Sequence, residues 1–259
     1  MATIHPTAIV HPTAELEDGV IVGAYAIVGP GVVVGRGGRI DSHAVVMGPT
    51  RIGDETHVFP FATVGLAPQQ RGADTLGDDS PLILGQGNVV REHASIHRGT
   101  GGNPTVIGDK NLFMAGSHVG HDVSVGSFCT FANGVQIAGH AVVEDYANFG
   151  GLAAVAQRVR VGESAFVAGG AMCERDVPPF VIVQGDRARV RALNRVGLER
   201  RGFSPQQIQT LKKAFRAIWV QKKLPPTVAA AQLTIDHPLV RRLVAAVIPP
   251  PPPPPSDPF

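Results

Sequence analysis

Apolar residues, most of them aliphatic, recur at every sixth position over much of this chain. The series starts at Ile4 and runs through Val10, Leu16, Val22, Val28, Val34, Ile40, Val46, Ile52, Val58 and Val64. It resumes at Leu84, Val90 and Ile96, and again at Ile107. From there it continues through Phe113, Val119, Val125, Phe131, Ile137, Val143, Phe149, Val155, Val161, Val167 and Cys173. A period of six is neither the 3.6 of an amphipathic helix nor the 2 of a half-buried strand. Three hexads instead close one triangular coil with the aliphatic positions inside. Gly follows the aliphatic residue at Gly23, Gly29, Gly35, Gly53 and Gly65 and supplies tight backbone at the corners. Coils stacked about 4.8 Å apart pair as parallel sheet. The pattern predicts a left-handed parallel β-helix of hexapeptide repeats, a triangular prism of about 26 hexads, over residues 1–185.

Two interruptions break the register, one between Val64 and Leu84 and one between Ile96 and Ile107. In a strict solenoid such insertions leave as loops, often on the functional face. After Asp176-Val177-Pro178-Pro179 the six-period stops and helical signals begin, giving a C-terminal α-helical domain over 186–248. Ser204-Pro205-Gln206-Gln207 reads as an N-cap, a proline at the first helical position and a capping-box glutamine. Ile208, Leu211, Phe215, Ile218 and Trp219 then follow at helical spacing, and a second helix is expected from Val228 to Ala246. The tail, residues 249–259, opens with seven prolines and reads as polyproline II or disorder.

Composition narrows the class. Of 259 residues, 44% are hydrophobic and 17% charged, which excludes wholesale disorder. Net charge is only +2, yet eleven basic residues fall between Arg187 and Lys223 with Glu199 alone opposing them. Such a patch is either a solvated face or a docking surface for an acidic partner or phosphate groups. Nucleic acid fits less well, because no reading module or interleaved aromatics accompany it. Two cysteines, Cys129 and Cys173, cannot build a disulfide framework and suit a reducing compartment. No run of 18 apolar residues exists, and the first residues lack a signal-peptide pattern, so neither a membrane span nor secretion is expected.

The chemistry concentrates on histidine. His118 and His121 share one coil, and His140 lies near one repeat later. In the 18-residue frame His121, Gly139 and Gln157 occupy one column, so a general base would sit one coil from a backbone amide able to hold an oxyanion. Asp122 follows His121; on a regular strand the two face opposite ways, but at a corner the carboxylate can fix the imidazole tautomer. A purely structural set of histidines, or a metal site built from His97, His118 and His121, remains open on the residues alone. Cysteine nucleophilic chemistry is rejected: Cys129 has no base near it in sequence, and Cys173 takes a core position.

The ordered set of motifs is more specific than the repeat. It comprises His11-Pro12-Thr13-Ala14, His97-Arg98-Gly99-Thr100, the segment His118 to Asp122, Ala138-Gly139-His140, Gly150-Gly151, Asp176-Val177-Pro178-Pro179, Gln184-Gly185, Gly197-Leu198 and Arg200-Arg201-Gly202-Phe203-Ser204. The chain thereby resembles, over about residues 4 to 225, the acyl-carrier-protein-dependent UDP-N-acetylglucosamine O-acyltransferases that start lipid A synthesis. The resemblance implies a cytoplasmic enzyme of a bacterium, Gram-negative by that likeness, that works as a homotrimer with sites between adjacent prisms and needs no metal or diffusible cofactor. His121 would be the general base, Asp122 its orienting carboxylate and Gly139 the oxyanion donor. His118, His140, Gln157, Asn194, Arg200 and Arg201 would contact the substrates, and Gly169 and Arg187 would line the acyl pocket. The basic segment 187–223 would dock the acidic acyl carrier protein.

Several acceptor-side positions depart from the family. The loop after Val64 reads Pro68-Gln69-Gln70-Arg71-Gly72 where the family has an Asp and a Lys, which leaves Gln69 and Arg71 as candidate sugar contacts. Ala156, Val196 and Arg187 replace a family His, Glu and His. Two classes of function stand: an acyltransferase, standard or acting on a different or 3-amino nucleotide sugar, and a non-catalytic or metal-binding trimeric β-helix.

Overall fold

The computed structural model describes residues 1–69, 80–221 and 224–248. Arg71, Lys222, Lys223 and the proline tail from Pro249 to Phe259 lie outside them.

Strands of two to five residues form three sheets of eleven, nine and eight strands, the faces of one prism. Each aliphatic hexad residue sits above its equivalent in the next coil: Val22 pairs with Ile40, Ile40 with Val58, Val58 with Val90, Val90 with Phe113 and Phe113 with Phe131. All six are buried, and so are alanines two positions before other hexad residues, Ala26, Ala44, Ala62 and Ala94 ahead of the nine-stranded face and Ala147 and Ala165 ahead of the eleven-stranded one, all with no exposure. Larger residues would not fit there against close-packed neighbours. Phe113, Phe131 and Phe149 stack along the axis with centroids 4.7 and 4.9 Å apart and rings within 10° of parallel.

The corners need left-handed backbone, and this chain uses many residues besides glycine to make them. Asp122, His140 and Arg158, one coil apart, have φ of 58°, 60° and 63°. Non-glycine residues adopt this region at a cost, which the paired coils on either side offset. Both insertions leave at the corner of this same column. Partners Val58 and Val90 are 32 positions apart, and Val90 and Phe113 are 23 apart, where an uninterrupted coil uses 18. The surplus chain passes between strands Thr63–Leu66 and Leu82–Leu84, and between Ser95–His97 and Thr105–Ile107.

The last coil strand, Val181–Gln184, turns back into an antiparallel partner, Arg189–Leu193, before the helices begin. Helix α1 spans Arg195–Arg200 and α2 Pro205–Phe215, with a π-helical turn over Arg216–Val220. The capping box forms as the sequence implies: Ser204 accepts from the Gln207 amide, and the Gln207 side chain accepts from that of Ser204. The single helix expected from Val228 to Ala246 is instead two, α3 (Pro226–Ala231) and α4 (Pro238–Val247). Pro238 is the reason. It forces His237 into extended backbone (φ −150°, ψ 137°), and the His237 ring then caps α4 by accepting from the Leu239 amide at 3.2 Å. Among the described residues no helix is long and apolar enough to cross a membrane.

Candidate active site

Asp122 is the residue that the corner reorients. Its left-handed backbone breaks strand alternation and brings its carboxylate beside His121. The His121 Nδ1–H donates to Asp122 Oδ2 at 2.6 Å, and because a carboxylate only accepts, the other ring nitrogen, Nε2, is left free to take a proton. Gly139 lies over that ring: a Cβ at this position would be 2.7 Å from both Cε1 and Nε2 of His121. Glycine is therefore the residue that lets the next coil approach the imidazole. Among the described residues the Gly139 amide has no acceptor.

Asp122 is almost fully enclosed, its side chain 4% exposed and that of His121 13%. Burial pushes the Asp122 carboxyl up, but hydrogen bonds from His121 and from Thr100 outweigh it and hold the group below its ordinary value. Thr100 contributes twice, its amide donating to Oδ1 (2.9 Å) and its hydroxyl to Oδ2 (2.7 Å). The Asp122 amide itself donates to Thr105 Oγ1 at 2.8 Å. His140 stands edge-on to His121, centroids 5.1 Å apart, with Nε2 3.7 Å from Asp122 Oδ2.

Two further histidines extend the row. His118 Nδ1 meets Ser95 Oγ at 2.8 Å, and its ring lies edge-on to His97 at 4.9 Å. Burial and the neighbouring His118 and His121 push the His97 imidazole down to about 4, so it is neutral at pH 7. Burial and His121 likewise lower His118. The His97, His118 and His121 set does not gather as a metal cage. Among the described residues the group whose ligand atoms lie within 4.8 Å of one another is His121, Asp122 and His140.

The remaining candidates separate into two places. Gln157 is exposed on the coil above Gly139, and Gly169 lies open at a neighbouring corner, where a Cβ would be 3.3 Å from the Gly151 carbonyl. Gln69 is exposed at the start of the long insertion. Asn194 and Arg201 are not in the His121 cluster of this chain. Asn194 is buried, caps α1 by accepting from Gly197, and donates to the Ser164 carbonyl at 2.8 Å. Arg201 pairs with Glu163 at 2.6 Å, reaches Ser164 Oγ and stacks over Tyr146, 3.8 Å from its ring centroid. Arg200 and Arg187 are exposed, the latter 3.9 Å from Glu174. Thus the basic segment loses Arg201 to an internal ion pair, while Lys212, Lys213 and Arg216 stay on the surface. Both cysteine thiols are buried, which pushes Cys129 up to about 12 and Cys173 to about 11 and removes them as nucleophiles.

Thr100, Thr105 and Ser95 are the polar partners that residue types alone did not single out. The clue to the first two was the surplus length of their coil. A cavity of about 1390 Å³ lies elsewhere, between the end of the prism and α3 and α4, lined by Arg175, Pro178, Trp219 and Arg242.

Comparison with known proteins agrees with this geometry. Residues 104–139 match the bacterial transferase hexapeptide family (six repeats), and residues 176–248 match the family model described as UDP-N-acetylglucosamine O-acyltransferase, domain 2. The acyl-[acyl-carrier-protein]–UDP-N-acetylglucosamine O-acyltransferase of Myxococcus xanthus is 48% identical over 224 residues, 86% of each chain. That of Halorhodospira halophila is 44% identical over 85% of this chain and 86% of its own. Among solved structures, LpxA from Acinetobacter baumannii superposes with a TM-score of 0.87 at 35% identity, covering 94% of this chain and 96% of that one.

Proposed function

The chain belongs to the family of acyl-[acyl-carrier-protein]–UDP-N-acetylglucosamine O-acyltransferases, and from that membership and the His121 geometry we propose how it carries out the transfer. The protein is an acyltransferase that moves a 3-hydroxyacyl chain from acyl carrier protein to the 3-hydroxyl of UDP-N-acetylglucosamine, the first step of lipid A synthesis. The observation that carries the reading is the His121–Asp122 contact of 2.6 Å with Gly139 of the next coil packed against the ring.

Nε2 of His121 takes the proton of the sugar 3-hydroxyl as that oxygen attacks the thioester carbonyl. Negative charge moves to the carbonyl oxygen, where the Gly139 N–H donates to it. Asp122 holds the ring in the Nδ1–H tautomer and stabilises the imidazolium that forms. Collapse expels the carrier thiolate, which receives the proton from Nε2, and the base is regenerated. Covalent catalysis is unnecessary, because the base activates the acceptor directly.

Among the described residues a single prism presents this dyad on a wall rather than in a pocket. Gln157 and Arg158 beside it are exposed, and a nucleotide sugar with an acyl chain needs a second wall to exclude water. We assign that wall to a neighbouring copy in a homotrimer, whose Arg200 and adjoining basic surface face the cleft. The same surface, with Lys212, Lys213 and Arg216, steers the acidic carrier protein toward it. Sedimentation of the full chain tests the assembly, and a monomeric mass at micromolar concentration would sink the inter-subunit site. Activity is tested by mass spectrometry of mixtures holding the protein, 3-hydroxyacyl carrier proteins of several lengths and UDP-N-acetylglucosamine. An alkali-labile acylated sugar nucleotide, absent with His121→Ala, is the expected product; equal product from the variant would refute the base.

A further inference from the structure

We propose that Thr100 is a positioning residue of the reaction: the coil insertion at residues 98–104 exists to carry this side chain to Asp122 and thereby set the orientation and basicity of His121. The proposal rests on the assignment of His121 as base.

Asp122 sets the terms of the argument. Its side chain is enclosed, and a buried carboxylate needs its oxygens satisfied. The regular coil supplies His121 to Oδ2 and a weaker approach from His140, and nothing to Oδ1. Every remaining donor to the carboxylate among the described residues comes from Thr100, the amide to Oδ1 and the hydroxyl to Oδ2. The amide bond stops rotation of the carboxylate plane, and the hydroxyl shares Oδ2 with the imidazole.

The loop is built to hold this geometry. Arg98 donates its amide to the Leu66 carbonyl at 3.2 Å, and Thr105 donates to the Pro81 carbonyl at 3.0 Å, so both ends are fixed on the coil beneath. Gly102 donates to Ser80 Oγ at 2.7 Å, and Asn103 donates to the Thr100 carbonyl at 3.0 Å. Gly99 permits the turn: a Cβ there would be 1.8 Å from the Asn103 carbonyl oxygen. The loop therefore leaves the prism, folds tightly and returns, with the Thr100 amide and hydroxyl directed at one carboxylate.

The consequence for the chemistry has a sign. A hydroxyl donating to Oδ2 withdraws charge from the atom that the imidazole also uses. Without it the carboxylate attracts the imidazolium more strongly, so loss of the hydroxyl moves the acid limb of the rate to higher pH. It also loses one of its two orienting contacts, so the ring spends less time aligned with the acceptor oxygen.

The test uses the full chain with Thr100→Val, which keeps the amide and the shape and removes the hydroxyl, and Thr100→Ser, which restores it. Steady-state rates with 3-hydroxyacyl carrier protein and UDP-N-acetylglucosamine are measured across about pH 5.5 to 9, with His121→Ala in parallel. For Thr100→Val the expected result is a kcat about ten-fold lower, KM for both substrates within about two-fold, and the acid limb of kcat moved up by about half a pH unit. Thr100→Ser is expected to return both features toward wild type. Thr100→Ala is held to the same outcome as Thr100→Val, so failure of one variant to fold leaves the test intact. An unmoved acid limb, equal loss in Thr100→Ser, or a change confined to KM overturns the proposal. If His121→Ala is inactive while Thr100→Val behaves as wild type, only the role of Thr100 falls. If His121→Ala works at the wild-type rate, the base assignment falls and takes this proposal with it.

Discussion

Replacing Gly139 by alanine isolates the approach of one coil to the catalytic ring of the coil below. The added methyl would lie 2.7 Å from Cε1 and Nε2 of His121, and 3.2 Å from Cδ2. Ordinary carbon contacts begin near about 3.5 Å, so the imidazole or the coil must retreat by about 0.8 Å. The ring has little freedom to do so, since Nδ1 is held at 2.6 Å by a carboxylate that Thr100 pins in turn. Backbone strain does not enter, because Gly139 does not occupy the left-handed region that disfavours alanine. Overpacking of this kind costs about 1–3 kcal/mol of stability, whereas misplacing a base by about 1 Å costs about 100-fold in rate. The expected variant is therefore folded, a few degrees less stable, and about 100-fold slower in kcat. Gly151→Ala is the control, because its methyl would meet nothing closer than the Asn133 carbonyl at 3.5 Å. Thermal melts and saturating-substrate rates for both variants decide the matter. A folded Gly139→Ala protein within about three-fold of wild-type kcat would show that the ring is not where its chemistry requires.

Three further outcomes follow from the same geometry. His97, pushed down to about 4 from 6.5, binds fewer protons folded than unfolded in that window; stability is complete above about pH 6.5 and falls by about 3 kcal/mol as pH drops to 4. Denaturant midpoints at pH 7 and 4.5 should show that slope in the wild type and less of it in His97→Gln; an identical slope in both refutes the assignment. Phe131 is buried between Phe113 and Phe149, so Phe131→Ala should cost about 3–5 kcal/mol in chemical denaturation, and a loss below about 1 kcal/mol would mean the stack is not continuous. Gly169 is exposed, and on the expectation from the family resemblance that it lines the acyl pocket, Gly169→Met should shift the preferred acyl chain to a shorter one, read by mass spectrometry of products from mixed carrier proteins; an unchanged chain-length profile would refute that placement.

The prism was legible because its information is local and repeated. Each hexad carries its own aliphatic residue, and stacking only requires every coil to do the same. The corners were less legible. Leu152 and Arg158 adopt left-handed φ of 60° and 63° although neither residue type favours it, because the paired strands on both sides fix the turn. Likewise, the conformation of Asp122 could be suspected but not read, and Thr100 stayed a letter in a motif until the loop was seen folded against Pro81. The pairing of Arg201 with Glu163 joins residues 38 positions apart across two elements, so a count of basic residues placed on the surface a charge that is spent inside. The break between α3 and α4 was visible in Pro238, and helical spacing on either side masked it.

A periodic solenoid has no intrinsic place for an active site, since every coil offers the next the same surface. Chemistry requires an exception to the repeat, and here the exceptions converge on one corner. Surplus chain leaves that corner in two successive coils, and the coil above bears Asp122 in the same column. The coil after that brings Gly139, the residue small enough to lie on the His121 ring. Irregularity below fixes the carboxylate, and smallness above admits the amide. Neither alone would give a base with an oxyanion donor in reach, because a regular coil below leaves Oδ1 without Thr100 and a side chain above displaces Nε2. The rigidity that makes the prism stable is thus what positions the site: the stacked coils and the fixed 98–104 loop hold base, orienter and donor in place.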